Sequence, residues 1–451
     1  MIEAKPTPPP FGLSRALIAL WAAGLALRLA FIWLEPTTAP VADETMWLMA
    51  LTRIPAAGFS PFSNYPIFHP PLYPYFLASL NSLFSGLLVI KIVQGLIGSL
   101  LIPVIHRITF RISGGRSALA AAAIAAFYPE LIWYASHFWC ETLFLTFFWI
   151  AVERVLAADE TGSRKAALAA GALFGVAILT RETLLYLLPV ALIWLAWPKP
   201  RRWTLAALLA GSVFLIVAPW TVRNWTQFEA FIPVSTGGGL NLYQGNAGIQ
   251  RGEVYDEYYA NEGKVEQFQW ARAAGLRAIW KRQPAWIFEK IRDEGPRLAE
   301  LDSLALIHLR RGAYGPEVSC AAYRGVAFIV LVPWILIAMA SVVALARAPM
   351  NRGTVLLLAL LGAYLLLHIA THGFSRYRLP VLPAFMILAA SLFGFDCATA
   401  RSLGRRLLLV GLTVALALLW APSLVDQMGH LGFAPPPAYE GFAPLCPAPT
   451  K

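Results

Sequence analysis

Long runs of apolar residues are the feature that most constrains how this chain of 451 residues can fold. A helix needs about 20 such residues to cross the hydrocarbon core of a bilayer. Only 14% of the residues are charged and 58% are hydrophobic, whereas about 25% are charged in a soluble globular protein. The sequence therefore predicts an all-α polytopic membrane protein. We expect about eleven membrane-spanning helices, near residues 13–34, 87–108, 116–135, 138–156, 165–181, 182–198, 203–221, 322–346, 353–371, 376–397 and 406–425.

Lysine and arginine are distributed unevenly between the short loops that join these runs. The short loops on one side hold only Arg181, Arg376 and Arg378. The other side is cytoplasmic by the positive-inside rule, which also accounts for the net charge of +11 without a nucleic-acid partner. The N-terminus is then inside and the C-terminus outside. The cytoplasmic loops, which together hold 14 basic residues, are 107–116, 153–165, 198–202, 347–352 and 401–406.

This orientation divides the chain into parts with different surroundings. Segment 223–321 holds 12 basic and 12 acidic residues, which suits a folded extracytoplasmic loop domain. Pro284 predicts a break between two helices in that segment, and a juxtamembrane helix is expected over 69–84. The predicted parts are a cytoplasmic tail 1–12, an N-terminal transmembrane module 13–222 with a first outer loop 35–86, the loop domain 223–321, transmembrane helices 322–425 and an extracytoplasmic tail 426–451.

The four cysteines show no metal-ligand spacing. Cys320 and Cys446 are both predicted outside the cytoplasm, where they either pair with each other or stay free. Neither possibility implies cysteine-based catalysis.

Three carboxylates are placed where a membrane protein rarely leaves charge without a reason. Asp43 and Glu44 follow the first apolar run, and Glu141 stands at the start of another. Ionisable groups at membrane depth are costly and are usually paired or functional. Such carboxylates serve as a general base or as metal ligands; the alternative for Asp43 and Glu44 is a solvated pair after a helix end.

Four arginines are predicted on the same outer face as these carboxylates. They are Arg181, Arg223, Arg376 and Arg378. Each alone is as easily a snorkelling anchor at the lipid interface. Together they favour a lipid-phosphate site, because the guanidinium fork stays charged and donates two parallel hydrogen bonds.

The glycine-rich stretch STGGGLNLYQGN at 235–246 is read as a loop. It matches neither the dinucleotide fingerprint nor the Walker sequence. The amides of Asn241 and Asn246 either line a sugar pocket or belong to a tight loop without a ligand.

With these residues in place, the chain resembles the C-type glycosyltransferase (GT-C) superfold. The nearest resemblance is to its enzymes that use polyprenyl-phosphate sugars, namely the aminoarabinose transferases of lipid A, the protein O-mannosyltransferases and the Rgt-type galacturonosyltransferases. The motifs that carry the resemblance, in chain order, are ADE, HPPLYPYFLA, PELIWYASHFWCETLF, ILTRETLLYLLP, PWTVRNW with STGGGLNLYQGN, and SRYRLPVLP.

The resemblance implies roles for individual residues. Asp43, with Glu44 beside it, matches the family's presumed base or metal-site carboxylate, and Glu141 matches a second acidic residue that joins that site. The arginines are expected to hold the lipid phosphate. The HPPLYPYFLA motif adds His69 and Tyr73 to the predicted sugar or acceptor pocket. A divalent cation, Mg or Mn, is a candidate cofactor, with Asp43 and Glu141 as its ligands.

The predicted activity is transfer of a sugar from a polyprenyl-phosphate donor to an acceptor hydroxyl, with inversion. The acceptor is a glycolipid, a polysaccharide or a protein, the partners include membrane lipids, and no nucleic acid is expected. The predicted location is the bacterial inner membrane, with a periplasmic active site.

Two other functions remain open. A transporter or flippase of lipid-linked sugars would bind similar headgroups but usually shows internal repeats and broken helices near the midplane. An O-antigen polymerase or ligase would depend on loop arginines rather than on a carboxylate after the first span. A required Asp43 would therefore distinguish the glycosyltransferase hypothesis from this one.

Overall fold

The structure is a computed structural model that describes residues 14–35, 40, 43–60, 67–197, 202–315, 318–347, 350–394, 403–433 and 446. The described residues are helical with no β-strand among them, as predicted for an all-α protein. The predicted tail 1–12 and most of the tail 426–451 lie outside the described residues.

The N-terminal half contains several short helices that follow one another directly, such as Leu87–Ser99 and Leu101–Ser113. Its elements are α1 (Arg15–Leu34), α2 (Asp43–Ala56), α3 (Leu72–Phe84), α4 (Leu87–Ser99), α5 (Leu101–Ser113), α6 (Gly115–Phe127), α7 (Pro129–Ser136), α8 (Glu141–Thr161), α9 (Arg164–Thr180), a 3-10 segment (Glu182–Tyr186), α10 (Leu188–Ala196) and α11 (Trp203–Phe228).

The C-terminal half begins with five helices of the predicted loop domain. Its elements are α12 (Gly237–Asn246), α13 (Arg251–Tyr259), α14 (Lys264–Lys281), α15 (Trp286–Ala299), α16 (Leu304–Arg310), α17 (Cys320–Arg347), α18 (Arg352–Ala370), a 3-10 segment (Ser375–Val381), α19 (Leu382–Ser391) and α20 (Leu403–His430).

In the part of the chain that the structure describes, six helical segments are long and apolar enough to cross a membrane, with α4 and α5 counted as one, and the predicted number of eleven stays a prediction. A seventh span results if α6 and α7, which meet at a bend of 46° before Pro129, count as one. Some of the predicted runs fall short for visible reasons: α9 has 17 residues and α19 has ten. The run at 182–198 opens as a 3-10 segment. The six are Arg15–Leu34, Leu87–Ser113, Trp203–Phe228, Cys320–Arg347, Arg352–Ala370 and Arg406–His430.

Small residues let the central helices approach closely. α9 packs between α8 and α11. A Cβ added to Gly171 would lie 2.3 Å from the carbonyl oxygen of Leu209, and one added to Gly175 would lie 2.7 Å from Cβ of Ile216. Close backbone approach through small residues is how helices associate in lipid.

The loops predicted to be cytoplasmic meet at one end of the helices. Nε of Arg107 donates to Glu153 at 3.0 Å, and Nη2 of Arg352 donates to Asp159 at 2.9 Å. Charged groups from separate loops therefore offset each other there, which is consistent with a common side of the membrane.

The predicted outer segment is helical throughout much of its length. α14 and α15 are separated at Pro284 and α3 begins after Pro71, as expected. The glycine-rich stretch is not a loop, because residues 237–246 form α12. A disulfide joins Cys320 at the start of α17 to Cys446, which settles in favour of pairing the alternative that the sequence left open.

Candidate active site

Asp43 and Arg376 form an ion pair across 333 residues of sequence. Asp43 is the first residue of α2, where the helix dipole favours a carboxylate. Nη1 of Arg376 donates to its Oδ2 at 2.9 Å. About a third of the Asp43 side chain (34%) stays exposed, so a ligand can reach it.

Glu141 and Arg181 form a second ion pair. Glu141 is the first residue of α8 and is 1% exposed, and Arg181 directly follows α9. Nη1 of Arg181 donates to Oε1 of Glu141 at 2.7 Å. The intramembrane carboxylate noted in the sequence is therefore compensated, as buried charges must be.

Tyr377 brings the two pairs together. Its ring centroid lies 5.3 Å from Cζ of Arg181 and 5.3 Å from Cζ of Arg376. The Arg376 guanidinium also lies 5.0 Å from the ring centroid of Trp139. Aromatic faces hold guanidinium groups without consuming their hydrogen-bond donors, and Nε of Arg376 is buried without a hydrogen-bond partner among the described residues.

His69 lies beside the first pair, with its ring centroid 4.4 Å from that of Trp47. Burial is the main cause that lowers the pKa of His69 to about 4, aided by the charge of Arg376, so the imidazole is neutral at pH 7. Burial is the largest single effect and would raise the pKa of Asp43, but the charge and hydrogen bond of Arg376, together with the charges nearby that include Arg181, hold that pKa below its usual value. The site therefore presents an ionised carboxylate next to a neutral histidine.

Several buried polar atoms behind Tyr377 have no hydrogen-bond partner within the described ranges. They include the Tyr364 hydroxyl and both ring nitrogens of His368. The His368 ring lies 4.5 Å from that of Tyr364 and 4.6 Å from that of Tyr377. Buried polar groups normally find partners, so this region suits a polar ligand or water.

The loop that leads to Arg376 is held by α15. Nζ of Lys290 donates to the carbonyl oxygens of Gly245 at 2.6 Å and Thr371 at 3.1 Å. The same Nζ pairs with Glu294 at 3.1 Å. Oε2 of Glu294 in turn accepts from the backbone N–H of Gly373 at 2.8 Å. Lys290 and Glu294 thus hold the backbone of the loop that leads to Arg376.

Comparison with known proteins identifies the architecture. Residues 68–223, 156 of the 451, match the sequence model of the dolichyl-phosphate-mannose-protein mannosyltransferase family. The crystal structure of ArnT from Cupriavidus metallidurans bound to undecaprenyl phosphate is similar, with a TM-score of 0.52 at 18% identity over 92% of this chain. The chain has the GT-C fold.

A second GT-C structure shows the same likeness. The archaeal oligosaccharyltransferase AglB from Archaeoglobus fulgidus, in complex with an inhibitory peptide and a dolichol-phosphate, has a TM-score of 0.52 at 14% identity over 94% of this chain. The chain spans 66% of the ArnT structure's length and 56% of the AglB structure's. No curated protein sequence matches significantly.

Two predicted residues of the first outer loop turn inward in this GT-C fold. Glu44 is buried, and its Oε1 accepts from the backbone N–H of Phe138 at 3.0 Å. Tyr73 is buried, and its hydroxyl donates to Oε1 of Gln94 at 2.7 Å. Glu44 therefore ties α2 to the link between α7 and α8, and Tyr73 ties α3 to α4. The predicted roles of both residues in the site remain predictions.

Two of the four predicted phosphate ligands have other contacts. Cζ of Arg223 lies 4.7 Å from the Trp220 ring centroid and 5.1 Å from that of Phe228, both on its own helix. Arg378 is buried and donates to the carbonyl oxygens of Glu300 and Asp302. Arg181 and Arg376 are the ones that the GT-C fold places beside the carboxylates.

The two predicted pocket amides differ in their surroundings. Asn241 is exposed on α12. Asn246 is buried; its Nδ2 donates to the carbonyl oxygen of Ala370 at 2.9 Å and its Oδ1 accepts from Nε1 of Trp286 at 2.8 Å. These two hydrogen bonds of Asn246 join α12, α15 and α18, and neither of them involves a residue of the two ion pairs.

The described residues do not form a ready site for a divalent cation. No group of three or more His, Cys, Asp or Glu side chains converges in the described part of the chain. Asp43 and Glu141, the predicted ligands, each pair with an arginine instead. We therefore derive no step through a metal.

Sequence reasoning missed the residues that join the two ion pairs. Tyr377 stands in SRYRLP between two arginines that are predicted phosphate ligands, and this position was the sequence signal that could have identified it. Trp139 lies within the motif PELIWYASHFWCETLF but was not singled out there. Tyr364 and His368 belong to no such motif, because only packing brings them to the site.

Proposed function

We propose that this protein is an integral membrane glycosyltransferase that moves a sugar from a polyprenyl-phosphate donor to an acceptor hydroxyl. One observation carries the proposal: the pairs Asp43–Arg376 and Glu141–Arg181 meet around Tyr377. A base and two phosphate-binding cations are what the reaction requires.

The chemistry is a single displacement at the anomeric carbon. Asp43 accepts the proton of the acceptor hydroxyl as its oxygen bonds to that carbon. The bond from the anomeric carbon to the phosphate oxygen breaks, and its electron pair leaves with the phosphate. Arg181 and Arg376 stabilise the departing charge in a site of low dielectric, and the anomeric configuration inverts.

Donor binding itself strengthens the base. In the free protein Arg376 pairs with Asp43 at 2.9 Å and keeps the carboxylate's pKa low. A lipid phosphate that takes hydrogen bonds from Arg376 shares its charge and weakens this pair. The pKa of Asp43 then rises toward the range of an effective general base.

Related structures support a lipid-phosphate donor. The similar ArnT structure holds undecaprenyl phosphate, and the similar AglB structure holds a dolichol-phosphate. We place the site on the extracytoplasmic side of a bacterial inner membrane, because its segments belong to the loops that are poor in lysine and arginine. The Cys320–Cys446 disulfide suits that oxidising side.

The test replaces the chain in its native membranes by the Asp43→Asn variant at equal protein level. We expect transfer of sugar to the acceptor to fall by about 10²-fold or more. The polyprenyl-phosphate sugar should accumulate in lipid extracts analysed by mass spectrometry, and the accumulated lipid identifies the donor.

Asp293→Asn is the matched control, because Asp293 is exposed on α15. Its one ion pair among the described residues is with its neighbour Arg292, at 2.7 Å. Undiminished transfer by Asp43→Asn would rule out Asp43 as the base. If the protein were instead a flippase, the inactive variant would leave the lipid-linked sugar on the cytoplasmic leaflet, which leaflet-selective labelling detects.

A further inference from the structure

Helix α15 has an apolar face that changes from buried to exposed along its length. Towards the end of the helix, Gly295 packs against α20: a Cβ added to it would lie 3.4 Å from Cδ2 of Leu419. Just beyond, Nε1 of Trp420 donates to the carbonyl oxygen of Ala299 at 2.9 Å. Towards its beginning, the same face carries Phe288 and Ile291, which are 73% and 49% exposed.

The spacing places these residues on one stripe. Positions 288, 291, 295 and 299 recur at three and four residues, which is the period of a helix face. The opposite face carries the charged residues Glu289, Asp293 and Arg297. Arg292, one turn after Phe288 and 75% exposed, lies at the edge of the stripe. The helix is therefore amphipathic, and its apolar stripe runs past the edge of its contact with α20.

The surroundings of α20 indicate what the exposed half of the α15 stripe contacts. Its segment Arg406–His430 is a candidate span, and only 6% of its most apolar window is buried within the protein. A span with so little protein around it is surrounded by lipid. In the proposed orientation, Leu419 lies in the outer half of the predicted span 406–425. The residues of α15 that touch it therefore lie at the depth of the outer leaflet.

We propose that α15 is an interfacial helix whose N-terminal apolar stripe, Phe288 and Ile291, inserts into the outer leaflet of the membrane. The occupant of this surface is the acyl region of membrane lipids. Trp280 at the end of α14, 77% exposed, is the type of side chain that settles at such an interface. The face with Lys290 and Glu294 holds the loop of Arg376, so insertion sets the depth of that arginine.

The test measures depth directly and does not depend on activity. Phe288→Cys and Asp293→Cys are each made in the full chain with Cys140→Ala and Cys397→Ala, labelled with an environment-sensitive fluorophore and reconstituted in phosphatidylcholine vesicles. We expect doxyl-labelled lipids to quench the label at 288 about threefold more strongly than the label at 293. Aqueous iodide should show the opposite order.

Three results would overturn the proposal. Equal quenching by iodide at both positions would place the stripe in water. Protection of position 288 from both quenchers would mean that another segment of this chain covers it. Self-quenching that depends on the protein-to-lipid ratio would assign the stripe to a second copy. Each outcome leaves the proposed transfer reaction to its own test.

Discussion

At the scale of single residues, the site depends on which partner each charge has. Asp43 is partly exposed and paired with Arg376, whereas the neighbouring Glu44 is buried against a backbone N–H. The two adjacent carboxylates thus have different surroundings, which only the structure shows. They stand next to each other in one short stretch, so no local pattern distinguishes the exposed one from the buried one.

The pKa of Asp43 gives a prediction with a definite sign. Arg376 keeps that pKa below its usual value, so the carboxylate stays ionised down to lower pH than a free aspartate. Arg376→Gln removes this effect and raises the pKa. We expect the acid limb of the kcat/KM profile to move to higher pH, because that limb reports the free enzyme's base.

Arg376→Lys is the control for this pH profile because it keeps the positive charge. Its acid limb should stay closer to that of the wild type, although the loss of the guanidinium fork lowers the rate. An acid limb that does not move in Arg376→Gln would show that a group other than Asp43 is titrating.

At the scale of elements, glycine determines how α12 reaches the loop of Arg376. A Cβ on Gly245 would lie 1.4 Å from the carbonyl oxygen of Thr371, which no side chain tolerates. From the same glycines the sequence predicted a loop, either one that lines a sugar pocket or a tight one without a ligand. The predicted loop conformation was wrong, because residues 237–246 form a helix. At Gly245 the small residue permits a close approach to a backbone segment more than a hundred residues away.

Gly245→Ala should therefore destabilise the protein by about 1–3 kcal/mol, as overpacking does. The measurement is the thermal unfolding of the purified protein in detergent. Gly252→Ala is the matched control, since nothing lies within 4 Å of its added Cβ in α13, and alanine there favours the helix. Equal melting temperatures for the two variants would contradict the close contact.

At the scale of the whole molecule, the sequence predicted the architecture better than the number of spans. Loops that the sequence assigns to the cytoplasm do meet, through Arg107 with Glu153 and Arg352 with Asp159. The assignment of the two ends to the two sides of the membrane, which rests on the positive-inside rule, stays a prediction. Among the described residues, fewer helices than the predicted eleven are long and apolar enough to cross a membrane, and the difference arises where runs are broken or short. At α6–α7 the chain bends by 46° and at Glu182–Tyr186 it adopts a 3-10 turn, and hydropathy alone does not reveal either break.

The proposed orientation predicts opposite labelling of two exposed sites. Asn241→Cys in α12 should react with a membrane-impermeant maleimide in intact cells whose outer membrane has been permeabilised. Glu160→Cys at the end of α8 should react only after the inner membrane is opened. Both are made with Cys140→Ala and Cys397→Ala, and the reverse pattern would invert the topology and place the ion pairs in the cytoplasm.

The central claim is that Arg376 and its neighbours form a lipid-phosphate donor site, and binding of undecaprenyl phosphate to the purified protein tests it most directly. We expect Arg376→Gln to weaken binding by about tenfold or more, as loss of a charge-assisted phosphate contact does. Arg292→Gln, which alters an exposed arginine on α15, should bind like the wild type. Equal affinity for wild type, Arg376→Gln and Arg292→Gln would contradict the account.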